Sequence, residues 1–211
     1  MNKSAAIFFT EEEKKRISEA TRQVELRTSG EVAVMIVGSS DTYPDAELTA
    51  GIVFGSLTAF ALTEIFFDAL VWYYIPLSIL FFFPFKRLTG LIPALKSIFI
   101  SARRKNEAVA QRALKGFYEK GLYRTRDNTG VLFFISILEH KVWVLADKGI
   151  NSKIHQETLN RFASTVTQGI KEERACDALC QAITEAGHIL AEHFPVRSDD
   201  TNELSDEVMT G

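Results

Sequence analysis

Three carboxylates in this 211-residue chain fall at the ends of apolar runs rather than inside polar stretches. Glu31 opens the run Glu31-Val-Ala-Val-Met-Ile-Val-Gly38, Asp127 precedes the run Val131 to Leu138, and Asp147 follows Lys141-Val-Trp-Val-Leu-Ala146. Carboxylates that converge from distant parts of a chain supply the hard oxygen ligands that Ca2+ or Mg2+ takes. A cation held this way can assist phosphate hydrolysis. Glu31, Asp127 and Asp147 are therefore the candidate metal ligands, and no catalytic residue is assigned. The same residues have a plainer reading. Asp127 can cap the turn Asn128-Thr129-Gly130, Asp147 can cap a turn or the next helix, and Glu31 can pair with Arg124 or Arg126.

Whether the three converge depends on the elements that carry them. The first run is short, nearly all apolar and rich in β-branched residues, which reads as a strand covered on both faces. The second run reads the same way. The link Glu139-His140 is so short that the second and third strands must form an antiparallel hairpin, although Glu-His is not a favoured turn pair. Between the first and second runs, Ala102 to Lys120 stacks Val109, Ala113 and Phe117 on one helical face and ends at Gly121. That helix makes the first two strands a parallel crossover. The start of strand one, the start of strand two and the end of strand three then share one edge of the sheet, where the three acids meet.

The remaining elements complete an α/β pattern. Thr10 followed by Glu11, Glu12 and Glu13 is a capping box, and the helix it opens stops at Ser29-Gly30. Two amphipathic helices follow the third strand, one striped by Leu159, Phe162, Val166 and Ile170, the other by Ala175, Leu179, Ile183, Ala186 and Leu190. Pro195 ends the second. Residues 196–211 are acidic and short of large apolar groups, so a disordered tail is expected.

The tract Ala46 to Phe85 departs from this soluble pattern, with charge only at Glu47, Glu64 and Asp68. About 20 apolar residues cross a bilayer as helix, so residues 46–85 are long enough for two passes and a turn. Lys14, Lys15, Arg16, Arg22 and Arg27 precede the tract, and Lys86, Arg87, Lys96, Arg103, Arg104 and Lys105 follow it, whereas the turn near Asp68 carries only acids. Basic flanks stay inside, so both termini are expected in the cytoplasm of a multi-pass inner-membrane protein. Trp72, Tyr73 and Tyr74 suit the outer interface. The expected organisation is residues 1–45 and 101–195 as one cytosolic domain, 46–85 as a transmembrane hairpin, 86–100 as an amphipathic interfacial segment kinked or started by Pro93, and 196–211 as the tail.

Other chemistry is sparse. The net charge of −3 gives no pull toward nucleic acid. Cys176 and Cys180 share a helix face, with His188 as a conceivable third ligand, but small buried packing residues are the simpler reading. Residues 1–10 hold too short an apolar run for a secretory signal. Ser39, Ser40 and Asp41 lie at the carboxyl end of strand one and read first as a linker. No phosphate loop, nucleophile elbow or zinc signature is present.

The segments Thr28-Ser-Gly-Glu-Val-Ala-Val-Met-Ile-Val37, Asn128-Thr-Gly-Val-Leu-Phe-Phe-Ile-Ser136 and Val142 to Ile150 resemble the TPM domain family. They look closest to a bacterial branch whose domain is interrupted by a membrane hairpin. The resemblance implies a three-layer α/β fold with a mixed sheet. Other members include a thylakoid-lumen protein linked to photosystem repair, with acid phosphatase activity and divalent-cation binding, and animal membrane proteins associated with receptors. Ala146-Asp147-Lys148-Gly149 stands where many members have a Gly-aromatic-Gly turn. The expected function is a non-enzymatic binding or assembly module at the cytoplasmic face of the inner membrane, with the bilayer and membrane proteins as partners. The rival is a divalent-cation-dependent phosphatase.

Overall fold

The structure is a computed structural model that describes residues 5, 7–68, 70–196 and 206–211. It divides into two compact units, residues 1–40 with 106–211, and residues 41–105.

The first unit is built around two strands with no polar face. In β1 (Glu31–Val37) and β2 (Gly130–Ser136) every residue is buried. They pair in parallel from Glu31 opposite Gly130 to Val37 opposite Ser136. β3 (Lys141–Ala146) pairs antiparallel with β2 and alternates buried and exposed residues, as an edge strand with one wet face does. Strand alternation sends Val32, Val34 and Ile36 to one side of the sheet, and Ala33, Met35 and Val37 to the other. The first side meets Ile17 and Val24 of α1 (Glu11–Glu25), Phe162 and Val166 of α7 (Gln156–Lys171), and Leu179 and Ile183 of α8 (Ala175–His193). The second side meets Val109, Ala113 and Phe117 of α5 (Ala102–Glu119). The result is helix, mixed sheet, helix: the three-layer α/β arrangement.

Local chemistry fixes the ends. Thr10 Oγ1 accepts from the Glu13 N–H at 3.2 Å while the Glu13 carboxylate accepts from the Thr10 N–H at 2.8 Å, so the capping box forms. The link between β2 and β3 is longer than the sequence suggests. β2 ends at Ser136, and Ile137–His140 make a turn in which His140 takes a left-handed φ of 53°. A Glu-His pair cannot form a two-residue hairpin without strain at both positions, and two further residues relieve it. On α8, Gly187 lets α1 approach closely. A Cβ there would lie 2.4 Å from Val24 Cγ2.

The tail departs from expectation. Residues 197–205 lie outside the described residues, but Met209–Thr210 form β4, which adds in parallel to β1 and gives the sheet order β3-β2-β1-β4. The Gly211 N–H donates to the Ile36 carbonyl at 3.1 Å. Val208 and Met209 pack on opposite faces of the sheet. They cover the part of the β1 edge at Met35 and Ile36.

Glu25 helps to hold this edge. Its Oε1 accepts from the Val32 N–H at 3.0 Å. Burial pushes its carboxyl up to about 9; the Val32 hydrogen bond opposes this, and Glu31 and the hydrogen-bonded Asp206 add to it. Glu25 therefore keeps a proton that the carboxylates around it favour.

In the second unit, α2 (Pro44–Phe66) and α3 (Val71–Leu91) run as a helical hairpin. Ala50, Gly51, Gly55, Ala59 and Thr63 form the buried stripe of α2. A Cβ on Gly55 would lie 3.0 Å from the Phe82 backbone nitrogen, so the backbones touch there. α3 continues past Phe85 to Leu91, because Lys86 and Arg87 do not interrupt a helix. The segment expected to lie separately over 86–100 is thus divided between α3 and α4 (Pro93–Ile98), with Pro93 in the first turn of α4.

Two outcomes follow. Gly187→Ala is expected to lower stability by about 1–3 kcal/mol through overpacking against Val24, read as a fall in the thermal midpoint of the full chain. Glu25 in the unfolded chain titrates near 4.5. Between that value and about 9 the folded state binds a proton that the unfolded state lacks, so stability falls as pH rises through this window. Glu25→Gln should flatten that slope and raise stability at pH 8 by on the order of 1 kcal/mol. Amide exchange at Val32 and Thr210 measured from pH 6 to 9 checks both statements, and an unchanged slope would refute the role of Glu25.

Candidate functional site

The three sequence-derived acids all reach one loop, Asn128–Gly130. Glu31 donates its N–H to the Thr129 carbonyl at 3.1 Å, and Asp147 donates its N–H to the Gly130 carbonyl at 2.9 Å. Asp127 immediately precedes the loop, and the Asn128 carbonyl accepts from the Gly149 N–H at 3.1 Å. The parallel and antiparallel pairings therefore set the starts of β1 and β2 and the end of β3 side by side.

Small residues and a left-handed position make this closeness possible. Asn128 has φ 57°. A Cβ on Gly130 would meet the Leu122 carbonyl at 2.5 Å, and one on Gly149 would meet the Asp127 and Asn128 carbonyls at 2.6 Å. Thr129, itself buried, donates its hydroxyl to the Ser29 carbonyl at 2.8 Å, while its N–H reaches Thr125 Oγ1 at 2.9 Å.

The side chains are less concentrated than the backbone. Asp147 caps the short helix α6 (Lys148–Asn151), accepting from the Lys148 N–H at 2.7 Å through Oδ1. Its Oδ2 is buried without a hydrogen-bond partner among the described residues. Glu31 is buried and faces Glu25, and Asp127 is half-buried. Among the described residues no three or more His, Cys, Asp or Glu side chains are grouped so as to hold a metal ion. Glu31 instead shares its surroundings with Glu25 and Asp206, where Glu25 keeps its proton. Sequence reasoning missed both. Glu25 looks like an ordinary helix-terminal acid, and Asp206 belongs to the segment expected to be disordered.

The opposite end of the parallel pair holds a second polar group that the sequence hid. Glu139, buried, accepts from the Ser40 N–H at 2.9 Å and from the Ser136 hydroxyl, and the Ser40 and Ser136 hydroxyls lie 2.7 Å apart. Ser136 is 1% exposed. The network ties the β2–β3 turn to the end of β1, and no substrate can reach the Ser136 hydroxyl. Its one sequence signal is a serine ending an otherwise apolar strand three residues before a glutamate.

Cys176 and Cys180 do share a face of α8. Cys176 is buried with Sγ 3.8 Å from the Glu13 carbonyl. Burial raises both thiols, Cys180 to about 12 with Cys176 adding to the rise. Both stay protonated near neutral pH, as small packing residues do.

Comparison with known proteins agrees with this architecture. A family model described as the TPM domain matches residues 96–189. No curated protein matches the chain. Among solved structures, the chain is similar to the NMR structure of the BA42 protein from the psychrophilic bacterium Bizionia argentinensis, at 21% identity and a TM-score of 0.61, covering 97% of this chain and 96% of that one. At that identity the likeness speaks for the fold alone. The likeness to the TPM domain family is therefore carried by residues 96–189, and the likeness in fold extends over nearly the whole chain.

Proposed function

We propose that this chain is a membrane-anchored TPM-domain protein acting as a non-enzymatic binding or assembly module at the cytoplasmic face of the inner membrane. The observation that carries the anchoring is the outward surface of the helical hairpin. α2 is 23 residues long and, by length and composition, long and apolar enough to cross a bilayer. Leu57 and Phe60 on α2, and Trp72, Ile79, Leu80 and Phe83 on α3, are all more than half exposed. Water tolerates few contiguous apolar patches of this size, and lipid covers them.

The hairpin's polar side chains fit the same reading. Thr63 donates to the Ala59 carbonyl at 2.8 Å, Ser78 to Ile75 at 2.8 Å and Thr89 to Phe85 at 2.9 Å. Hydroxyls bonded back to their own helix present no unmet donor to hydrocarbon. α3 carries Lys86 and Arg87 near its end. Over its 21 residues it rises about 31 Å, and these two side chains can snorkel to the surface. The basic flanks put both termini inside and leave only the turn around Asp68 outside. A binding role is the first reading because the sequence carries no phosphate loop, nucleophile elbow or zinc signature.

A cation-dependent phosphatase is the second reading. The buried Oδ2 of Asp147, with no hydrogen-bond partner among the described residues, favours it, because such an oxygen gains from a cation. Glu31, Asp127 and Asp147 would supply carboxylates, and the chemistry gained would be charge neutralisation at a phosphoryl group.

Reporter fusions after Gly211 and beside Asp68 should report opposite compartments, and the chain should stay with membranes until detergent is added. A freely soluble chain, or both reporters on one side, would refute the anchoring. Calcium titration of the detergent-solubilised chain separates the two functional readings. Binding lost at least about tenfold in Asp147→Asn, together with turnover of a generic phosphate ester, would establish the enzyme. Absence of turnover with or without cation is the outcome expected for the module.

A further inference from the structure

We propose that the cleft at the open end of the hairpin, between α2 and α3 and opposite the Phe67–Leu70 turn, binds the phosphate of an anionic phospholipid headgroup. This rests on the membrane reading above and names a ligand for it.

The cleft has a volume of about 490 Å³ and is lined by Glu47, Phe83, Lys86, Arg87 and Gly90. Its charges are unequal in their commitments. The Glu47 carboxylate accepts from Lys96 Nζ at 2.6 Å, and that pair is mostly buried. Gly90 makes room for it, since a Cβ there would lie 3.2 Å from the Glu47 carboxyl carbon. The one acid in the cleft is thus neutralised by a lysine from α4. Lys86 and Arg87 pair with no acid among the described residues. The cleft therefore carries two uncompensated positive charges.

The apolar side of the cleft fits a lipid better than a free anion. Phe83 is 64% exposed and lies one helical turn before Arg87, further along the apolar part of α3. A phosphodiester seated on Lys86 and Arg87 would lay its acyl chain along Phe83. Lys86 is placed by its stem, whose Cβ packs where a side chain on Gly51 would otherwise sit, at 3.1 Å from that glycine's ideal Cβ position. Arginine presents a planar fork to two phosphate oxygens, and lysine adds a point charge. Basic pockets between transmembrane helices at the cytoplasmic surface are suited to acidic headgroups.

The full chain, reconstituted in vesicles of equal phosphatidylglycerol and phosphatidylcholine and then gently extracted, is assayed for retained lipid by mass spectrometry. Phosphatidylglycerol should be enriched at least about fivefold. Lys86→Gln with Arg87→Gln should abolish the enrichment, whereas Lys86→Arg with Arg87→Lys should keep most of it. Millimolar inorganic phosphate should not displace the lipid. Equal retention of both lipids, or enrichment unchanged in the glutamine variant, would overturn the proposal. Displacement by inorganic phosphate would overturn it too, by making the cleft a soluble-anion site. Membrane partition and helical content of each variant are measured alongside. A chain that inserts without lipid preference refutes the headgroup site alone, and a chain that does not insert refutes the anchoring and the site together.

Discussion

A strand pair that is apolar on both faces cannot tolerate water on either, and the soluble unit follows from that constraint. β1 and β2 bury all of their residues. Each apolar side chain on these faces contributes about 1.5–3 kcal/mol when kept from water, so both faces need a cover. Helices must therefore come from both sides, α1, α7 and α8 from one and α5 from the other. Parallel pairing requires a long connection between β1 and β2, and that connection is where the 41–105 unit is inserted. The same pairing brings the starts of both strands to one edge, which is why acids so distant in sequence become neighbours there.

The edges of that sheet are handled differently. β3 can face solvent because it alternates, with Trp143 exposed and Val144 buried. β1 cannot, since its residues have no polar alternates. Its outer side is closed by the Glu25 carboxyl on Val32 and by β4 on Met35 and Ile36. Both devices place carboxyls next to Glu31, and burial then makes Glu25 hold its proton. The acidity of this edge is in part a consequence of edge protection, which weakens any argument that acids gathered there were gathered for a cation.

Much of this was legible in the sequence, because the signals were local or periodic. The Thr10 capping box, the β1 and β3 runs and the stripes of α7 and α8 each rest on spacing that helix and strand geometry enforce. Convergence of Glu31, Asp127 and Asp147 on one loop could be derived from strand directions alone. The side-chain arrangement could not, since Asp147 turns one oxygen to cap Lys148. β4 was hidden because a two-residue strand depends on tertiary contact rather than propensity. Glu139 was hidden because a turn residue gives no hint that it will be buried.

On the membrane reading proposed above, the hairpin would meet a different solvent and follow different rules. In water, the exposed Phe60, Trp72 and Ile79 would be a defect, and the small-residue stripe Gly51, Gly55, Ala59 would be a weak core. In hydrocarbon there is no hydrophobic drive to bring two helices together. Close backbone approach then becomes the main source of attraction, and small residues are what permit it. Gly55 against the Phe82 backbone is that kind of contact. The charge pattern separates the two ends of the hairpin in the same way. Asp68 lies in the turn, and Lys86, Arg87 and Lys96 lie near the open end, where Glu47 answers only Lys96. A buried basic cluster would cost far too much to maintain without its counter-ions, so two unanswered cations beside exposed aromatic surface make physical sense where water, anionic headgroups and acyl chains meet.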